Sequence, residues 1–515
     1  MKSSAISKVG QSLMPDTYTY ADYQERMRRI ADIKYASALL QWDQETYLPV
    51  KGHEHRSRQI ATLTELAHDL FTSSETGKIL DALMRRHELT DTHKRNIQLS
   101  RYDYDKSRKL SPAFVRAQTE AVNKGFHAWL QARQQNDFHI FAPALQEVVR
   151  LKREEAEWLG YAEHPYDALL NEYDRGMTVR QLDHLFAGLR ADLSRLIAQI
   201  TEQPAIPRDF LHKHYPKDAQ WSYGLYLLAQ MGFDFEAGRQ DLSEHPFTVN
   251  FNRLDVRVTT RIDEHDFANM AWSCLHEGGH ALYEQGLPDE AYGLPLGEYC
   301  SLSIHESQSR LWENAIGRGR AFWKQQYPYL QTVFPVQLKD VSLESFYRAI
   351  NTVQPSLIRT EADELTYHFH VMIRYEIEKG LIEGSIAVDD IPAVWNRLYK
   401  ESLGLDIPDD RSGCLQDVHW GHGSFGYFST YSTGSLYAAQ FYHSMLQARL
   451  SLAEITGPED IAWIREWLAQ HIYRFGRYYT AGELCQRVTG ETLNSRYFID
   501  YATQKFSDIY GIQIQ

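Results

Sequence analysis

A mainly α-helical protein with one small sheet is the fold class that the sequence predicts, and three observations predict it. Apolar residues recur at three- and four-residue spacings over long stretches. Only 17 Pro and 30 Gly interrupt 515 residues, fewer breaks than a turn-rich β protein would carry. The period changes to alternation in one region, Phe247 to Asp263.

Helices come first. From Thr17 to about Ile200, "SRQIATLTELAHDLF", "PAFVRAQTEAVNKGFHAWLQARQQ" and "APALQEVVRLKREEAEWLG" all show helical spacing, broken by Pro, Gly or Asp. The basic run "RMRRIADIK" reads as a solvated helix face. No repeat and no low-complexity linker divides the chain. It is therefore expected to form one unit over 1–515, with a helical lobe at 17–200, a metal and substrate region at 245–430 and a helical region at 431–515.

Strands follow. "FTVNF" and "LDVRVTT" alternate apolar with polar residues around Asn252 and Arg253, which predicts a short antiparallel sheet. Its edge would suit an extended peptide, since main-chain pairing is a recurrent way of holding backbone.

The next element is "MAWSCLHEGGHALYEQGL", Met270 to Leu287. Phe267, Met270, Ala271, Cys274, Leu275 and Leu282 predict a helix, with Asp263 and Asp266 available as caps. His276 and His280 then share one face, one turn apart, where two imidazoles can hold a single zinc ion. Glu277 between them is placed to take a proton from a water at that ion. Gly278 and Gly279 each cost about 1 kcal/mol inside a helix relative to Ala, which implies that something approaches the backbone closely there.

A catalytic zinc usually takes three protein ligands. After the turn-rich "PDEAYGLPLGEY", the segment "CSLSIHESQSRLWENAIG" regains helical spacing through Cys300, Ile304, Leu311 and Ala315, so the chain doubles back. Candidates for the third ligand are Glu298, His305, Glu306 and Glu313. Glu306 lies mid-helix, and His305 is the runner-up or a neighbour orienting the site.

Charge narrows the function. A formal net charge of -14 repels phosphate backbones and anionic membranes, so neither nucleic acid nor membrane is an expected partner. Cys274, Cys300, Cys414 and Cys485 are far apart and form no CxxC pair, which reads as buried reduced thiols. The N-terminal "MKSSAISKVGQSLMPDTYTY" lacks the apolar core of a signal peptide, and no apolar run reaches about 18 residues. A cytoplasmic location is the expectation.

Several separate stretches together resemble the carboxypeptidase Taq family of metallocarboxypeptidases. They are "HPF" at His245 to Phe247, "DVRVT" at Asp255 to Thr259, "HEGGH" at His276 to His280, "HESQ" at His305 to Gln308, "IRTEAD" at Ile358 to Asp363 and "GCLQDVHW" at Gly413 to Trp420. "WDQETYLP" near the N-terminus and "YDALLNEYDRGMT" from Tyr166 are similar to the family as well. The resemblance implies a divalent metal, zinc or another such as Co2+, one per chain, on His276, His280 and Glu306, with Glu277 as catalytic base. It also implies a zincin-like, helical, two-lobed molecule with a long deep groove and a small sheet beside the zinc helix, and often a homodimer.

A carboxypeptidase must also stabilise an oxyanion and recognise a free carboxylate. "DVHWGHGSFGYFSTY" offers His419, His422, Tyr427 and Tyr431 as donors, with His419 and Tyr427 the first choices. Arginine binds a carboxylate with a planar fork, and Arg359 is the first candidate and Arg257 the second. The resemblance favours Arg359; otherwise Arg359 would pair with Asp363 four residues on. His245, Asp255 and Gln416 to Trp420 are expected at the blind end of the groove, and His368 and His370 read as structural. The expected substrates are peptides with a free C-terminal carboxylate, cut one residue at a time with broad preference, proline excepted on the resemblance. An oligopeptidase or dipeptidyl carboxypeptidase with the same metal chemistry is the enzymatic alternative, and a non-catalytic peptide-binding protein the alternative of another class.

Overall fold

A computed structural model of the chain describes residues 18–454 and 457–513. The N-terminal stretch examined for a signal peptide lies, up to residue 17, outside the described residues. Helices dominate. The first runs from Tyr20 to Thr46 and is started by a reciprocal cap, in which Thr19 accepts from the Asp22 amide and Asp22 accepts from the Thr19 amide. Helices His53–Thr72, Ser74–Met84 and Asp91–Ser107 follow.

These four helices bury their own small core, in which Tyr23, Met27, Ile30, Leu80, Leu83, Ile97 and Tyr104 pack with Leu294. The helices from Pro112 to Thr201 instead join the main core. Periodicity alone grouped all of them as one lobe; it reports that a face is buried, not which partner buries it. The main core continues through the Tyr367–Glu383 and Ser429–Ala448 helices, which are buried on nearly every side.

The sheet has three strands: β1 (Gly238–Leu242), β2 (Thr248–Asn252) and β3 (Asp255–Thr260), in the order β1-β3-β2. β2 and β3 form the predicted antiparallel pair, with an irregularity between Asn250 and Asn252. β1 adds to the other side of β3 in parallel, so the sheet is mixed. Its sequence, GRQDL, has no apolar alternation because its two buried residues, Gln240 and Asp241 on opposite faces of the strand, are both polar. That is why the sequence did not announce it.

The helix Phe267–Gln285 packs on this sheet, on the Lys217–Met231 helix and on the returning helix Leu302–Arg310. Asp266 caps the first of these by accepting from the Asn269 amide, and Ser301 caps the returning helix by accepting from the Ile304 amide. The returning helix does not continue as α to Ala315, as its spacing suggested. It becomes a π-helix over Leu311–Ile316, with Gly317 N–H reaching back to the Trp312 carbonyl. No helix among the described residues is long and apolar enough to cross a membrane. The four cysteines are buried and free.

Candidate metal centre

His276 and His280 project from one face of the Phe267–Gln285 helix, their ring centroids 4.9 Å apart. Their Nε2 atoms lie 3.5 and 3.4 Å from Oε2 of Glu306 on the returning helix. These donor atoms lie within 4.8 Å of one another. Two imidazole nitrogens and one carboxylate oxygen, all facing one point, fit a divalent cation such as zinc. Of the other third-ligand candidates, Glu313 accepts from His276 Nδ1 (2.9 Å), His305 contacts His280 Nδ1 (2.5 Å), and Glu298 pairs with Arg477 (3.3 Å). Glu313 and His305 thus stand behind the ligands, not among them.

The two glycines have a geometric reason. A Cβ on Gly279 would lie 2.6 Å from the Gln308 carbonyl oxygen and 2.7 Å from Ser309 Cα, so its absence lets the two helices close until Glu306 reaches the histidines. Gly434 does the same from the other side, where a Cβ would meet Glu306 Cγ at 2.5 Å. At Gly278 the obstacle is the end of the Met231 side chain, 2.7 Å away. Gly279→Ala should therefore lose about 1–3 kcal/mol of stability by overpacking and weaken binding of a divalent metal, because the returning helix must retreat with Glu306. Gly278→Ala should do less, since a thioether can swing aside. Thermal denaturation with zinc competition checks this, and equal losses in the two variants would contradict the reading.

Electrostatics support ionised carboxylates here. Burial alone would raise the Glu306 carboxyl, but Arg310 and His276 outweigh it and hold it well below the ordinary range. Arg310 Nε donates to Glu306 Oε1 (2.7 Å) and Ser309 Oγ to Oε2 (2.9 Å). Glu313 is likewise lowered, to about 2: burial opposes this, and Arg310 with the hydrogen bond from His276 prevails. His280 is driven down to about 3 by burial and by His305. Glu277 is buried, which raises its carboxyl, while His276 and a 2.6 Å hydrogen bond from Thr248 Oγ1 pull the other way.

A wall of aromatic and basic groups adjoins the centre. Arg310 stacks on the Tyr367 ring (4.4 Å), and Tyr367 accepts from Arg359 Nη1 (3.0 Å). Arg359 donates through Nε and Nη2 to Oδ1 of Asp417 (3.0 and 2.8 Å), and Arg374 holds the other oxygen through Nε (2.7 Å) and Nη2 (2.6 Å). Tyr431 lies against Arg359 (4.9 Å) and meets His419 Nε2 with its hydroxyl (3.2 Å). Burial lowers His419 to about 3 and raises Tyr427 to about 12, so the imidazole stays neutral and the phenol keeps its proton.

The model of the carboxypeptidase Taq (M32) metallopeptidases matches residues 22–506. The chain belongs to this family. It is 39% identical to carboxypeptidase 1 of Bacillus subtilis, over 96% of this chain and 99% of that one. It is also 39% identical to thermostable carboxypeptidase 1 of Thermus thermophilus, again over 96% and 99%. The solved structure of an M32 carboxypeptidase from Deinococcus radiodurans superposes with a TM-score of 0.93 at 40% identity, over 96% of this chain and 99% of that chain. As an M32 metallocarboxypeptidase the chain is a peptide hydrolase, and the family membership implies a divalent metal.

Not every residue singled out from the sequence of this M32 chain joins the centre. The alternative Arg359–Asp363 pair is absent, because Arg359 lies in a 3-10 turn, Arg359–Glu361, before the Tyr367–Glu383 helix. Asp363 instead accepts from the amides of Gln354, Leu365 and Thr366. Arg257 is held by its neighbour Asp255 (2.9 and 3.0 Å) and stacks on Trp42 (4.4 Å). His245 is exposed on the loop before β2, where its carbonyl accepts from Ser243 Oγ. His368 and His370 are buried against Ser432 and Tyr399, in keeping with a structural role. Thr248 and Arg310 were not foreseen, and Asp417 was expected only as part of the Gln416 to Trp420 stretch. Only Asp417 carried a signal, as the acid within "GCLQDVHW".

Proposed function

We propose that the chain is a zinc-dependent carboxypeptidase that releases single amino acids from the C-termini of peptides with broad preference, proline excepted. The observation that carries this is the convergence of His276 Nε2, His280 Nε2 and Glu306 on one point, with Glu277 on the same helix. Zinc held by these three residues would polarise the scissile carbonyl and acidify the attacking water. Glu277 takes the proton from that water and returns it to the leaving amine. Thr248 keeps the Glu277 carboxylate in one orientation through its 2.6 Å hydrogen bond. Tyr427 and His419 are assigned as donors to the oxyanion.

Arg359 is assigned to the terminal carboxylate. Because Asp417 holds its Nε and Nη2, the substrate would approach the Nη1 side, beside the Tyr367 hydroxyl. Arg257 and His245 are retained as supports further along the groove, near the sheet. The four free buried thiols favour a reducing, cytoplasmic setting. The homodimer rests on the family resemblance.

A peptide pair tests the whole reading: one with a free C-terminal carboxylate, the other amidated, each followed by mass spectrometry before chelation, after it and after zinc return. Stepwise loss of single residues from the free acid alone, abolished by the chelator and restored by zinc, is expected. Release of dipeptides or internal fragments would move the enzyme to the dipeptidyl or oligopeptidase class.

A further inference from the structure

We propose that Glu284 is a positioning residue for the metal centre: through His305 it fixes which ring nitrogen of His280 carries the proton, leaving Nε2 free to bind a cation. The inference rests on the metal reading of His276, His280 and Glu306 and assigns Glu284, a residue that reading does not use.

Glu284 lies one helical turn beyond His280 on the same helix and is 3% exposed. Its Oε1 lies 2.7 Å from His305 Nε2, and its Oε2 accepts from Asn250 Nδ2 on β2 at 2.5 Å. An ionised carboxylate only accepts, so His305 carries its proton on Nε2. In the tautomer that carries its one proton on Nε2, the His305 ring offers a lone pair at Nδ1, which faces His280 Nδ1 at 2.5 Å. His280 must donate there. Its remaining nitrogen, Nε2, is left unprotonated and faces Glu306 Oε2 at 3.4 Å.

His276 reaches the same result by a shorter route, donating from Nδ1 directly to Glu313 (2.9 Å). The two ligands are thus oriented from opposite sides, one by a carboxylate and one by a carboxylate acting through a second imidazole. β2 holds both the relay, through Asn250, and the base, through Thr248. The rings of Tyr299 and Tyr283 flank His305 at 4.8 and 5.3 Å and keep its plane fixed.

The test measures the zinc dissociation constant of the full chain by competition with a chromophoric chelator. Glu284→Leu should raise it about 10–100-fold. Glu284→Gln should restore most of the affinity, because its amide oxygen still accepts from His305 and its amide nitrogen can donate to Asn250 Oδ1 once the Asn250 amide, which now donates through Nδ2, turns over. A merely structural role would not distinguish these variants in this way. His305→Phe keeps a ring in place without either nitrogen and should show the same loss, so the proposal stays testable if Glu284→Leu does not fold. Wild-type affinity in His305→Phe would overturn it, as would equal losses in the Gln and Leu variants. If the wild-type chain itself binds no zinc, the metal reading fails first, which separates the two outcomes.

Discussion

Glu277→Gln is expected to lower kcat on a free-acid peptide by about 10²–10⁴-fold, the range associated with a positioned acid–base group. Zinc content should stay at that of the wild type. The side chain is not a ligand in the assigned set, and glutamine preserves the oxygen that accepts from Thr248 Oγ1. The amide cannot take up a proton, so the attacking water loses its base and the leaving amine its acid. Steady-state kinetics with metal analysis on the same sample decides the matter. An unchanged kcat would remove Glu277 from the mechanism, and lost zinc would mean that it shapes the centre instead of acting in it.

The second large effect concerns stability. Asp417→Asn should cost about 3–5 kcal/mol, because it leaves two buried guanidiniums without their counter-charge. Arg359 is 7% exposed and Arg374 is fully buried, and each places two nitrogens on this one carboxylate. Burial would raise the Asp417 carboxyl, but Arg359 and Arg374 hold it far below its ordinary value. The sign follows. The carboxylate is lowered in the folded state, so its contribution is complete above the unfolded value of about 3.9. Below that value it is lost progressively, and it is gone once pH has fallen through the depressed folded value. Wild-type and variant denaturation curves should therefore differ by a nearly constant amount from neutrality down to about pH 4 and converge below it. A difference that vanished at neutral pH would show that the two arginines do not depend on Asp417.

The sequence read some parts of this molecule and not others, for physical reasons. His276, Glu277 and His280 were legible because a helix converts a spacing of four into a shared face. Glu306 was legible only as one of four candidates, since helix return is predictable but helix rotation is not. The π-helix at Leu311–Ile316 illustrates this: apolar spacing through Leu311 and Ala315 suits an α-helix equally well, yet Glu313 ends up hydrogen-bonded to His276. The protein partner of Arg359 was not legible, because sequence offers only the nearby Asp363 as an alternative, whereas Asp417 comes from a loop that only the tertiary fold brings close. β1 escaped because its buried residues are polar. Thr248 escaped because nothing in a strand pattern says that one hydroxyl will face a glutamate.

Counting formal charges in the interior gives the pairing of Asp417 with two arginines a further meaning. One positive charge is left over there, which a single carboxylate arriving at the end of a peptide would cancel. Beside it, Glu306 and Glu313 pair with Arg310 and Arg318, while the buried Glu277 and Glu284 are hydrogen-bonded instead to Thr248, Asn250 and His305, leaving two negative charges when the imidazoles are neutral. A dication cancels those. If the proposed metal and peptide terminus occupy these two places, the complete complex is the state in which these charges balance, and either half alone leaves a partly buried charge uncompensated.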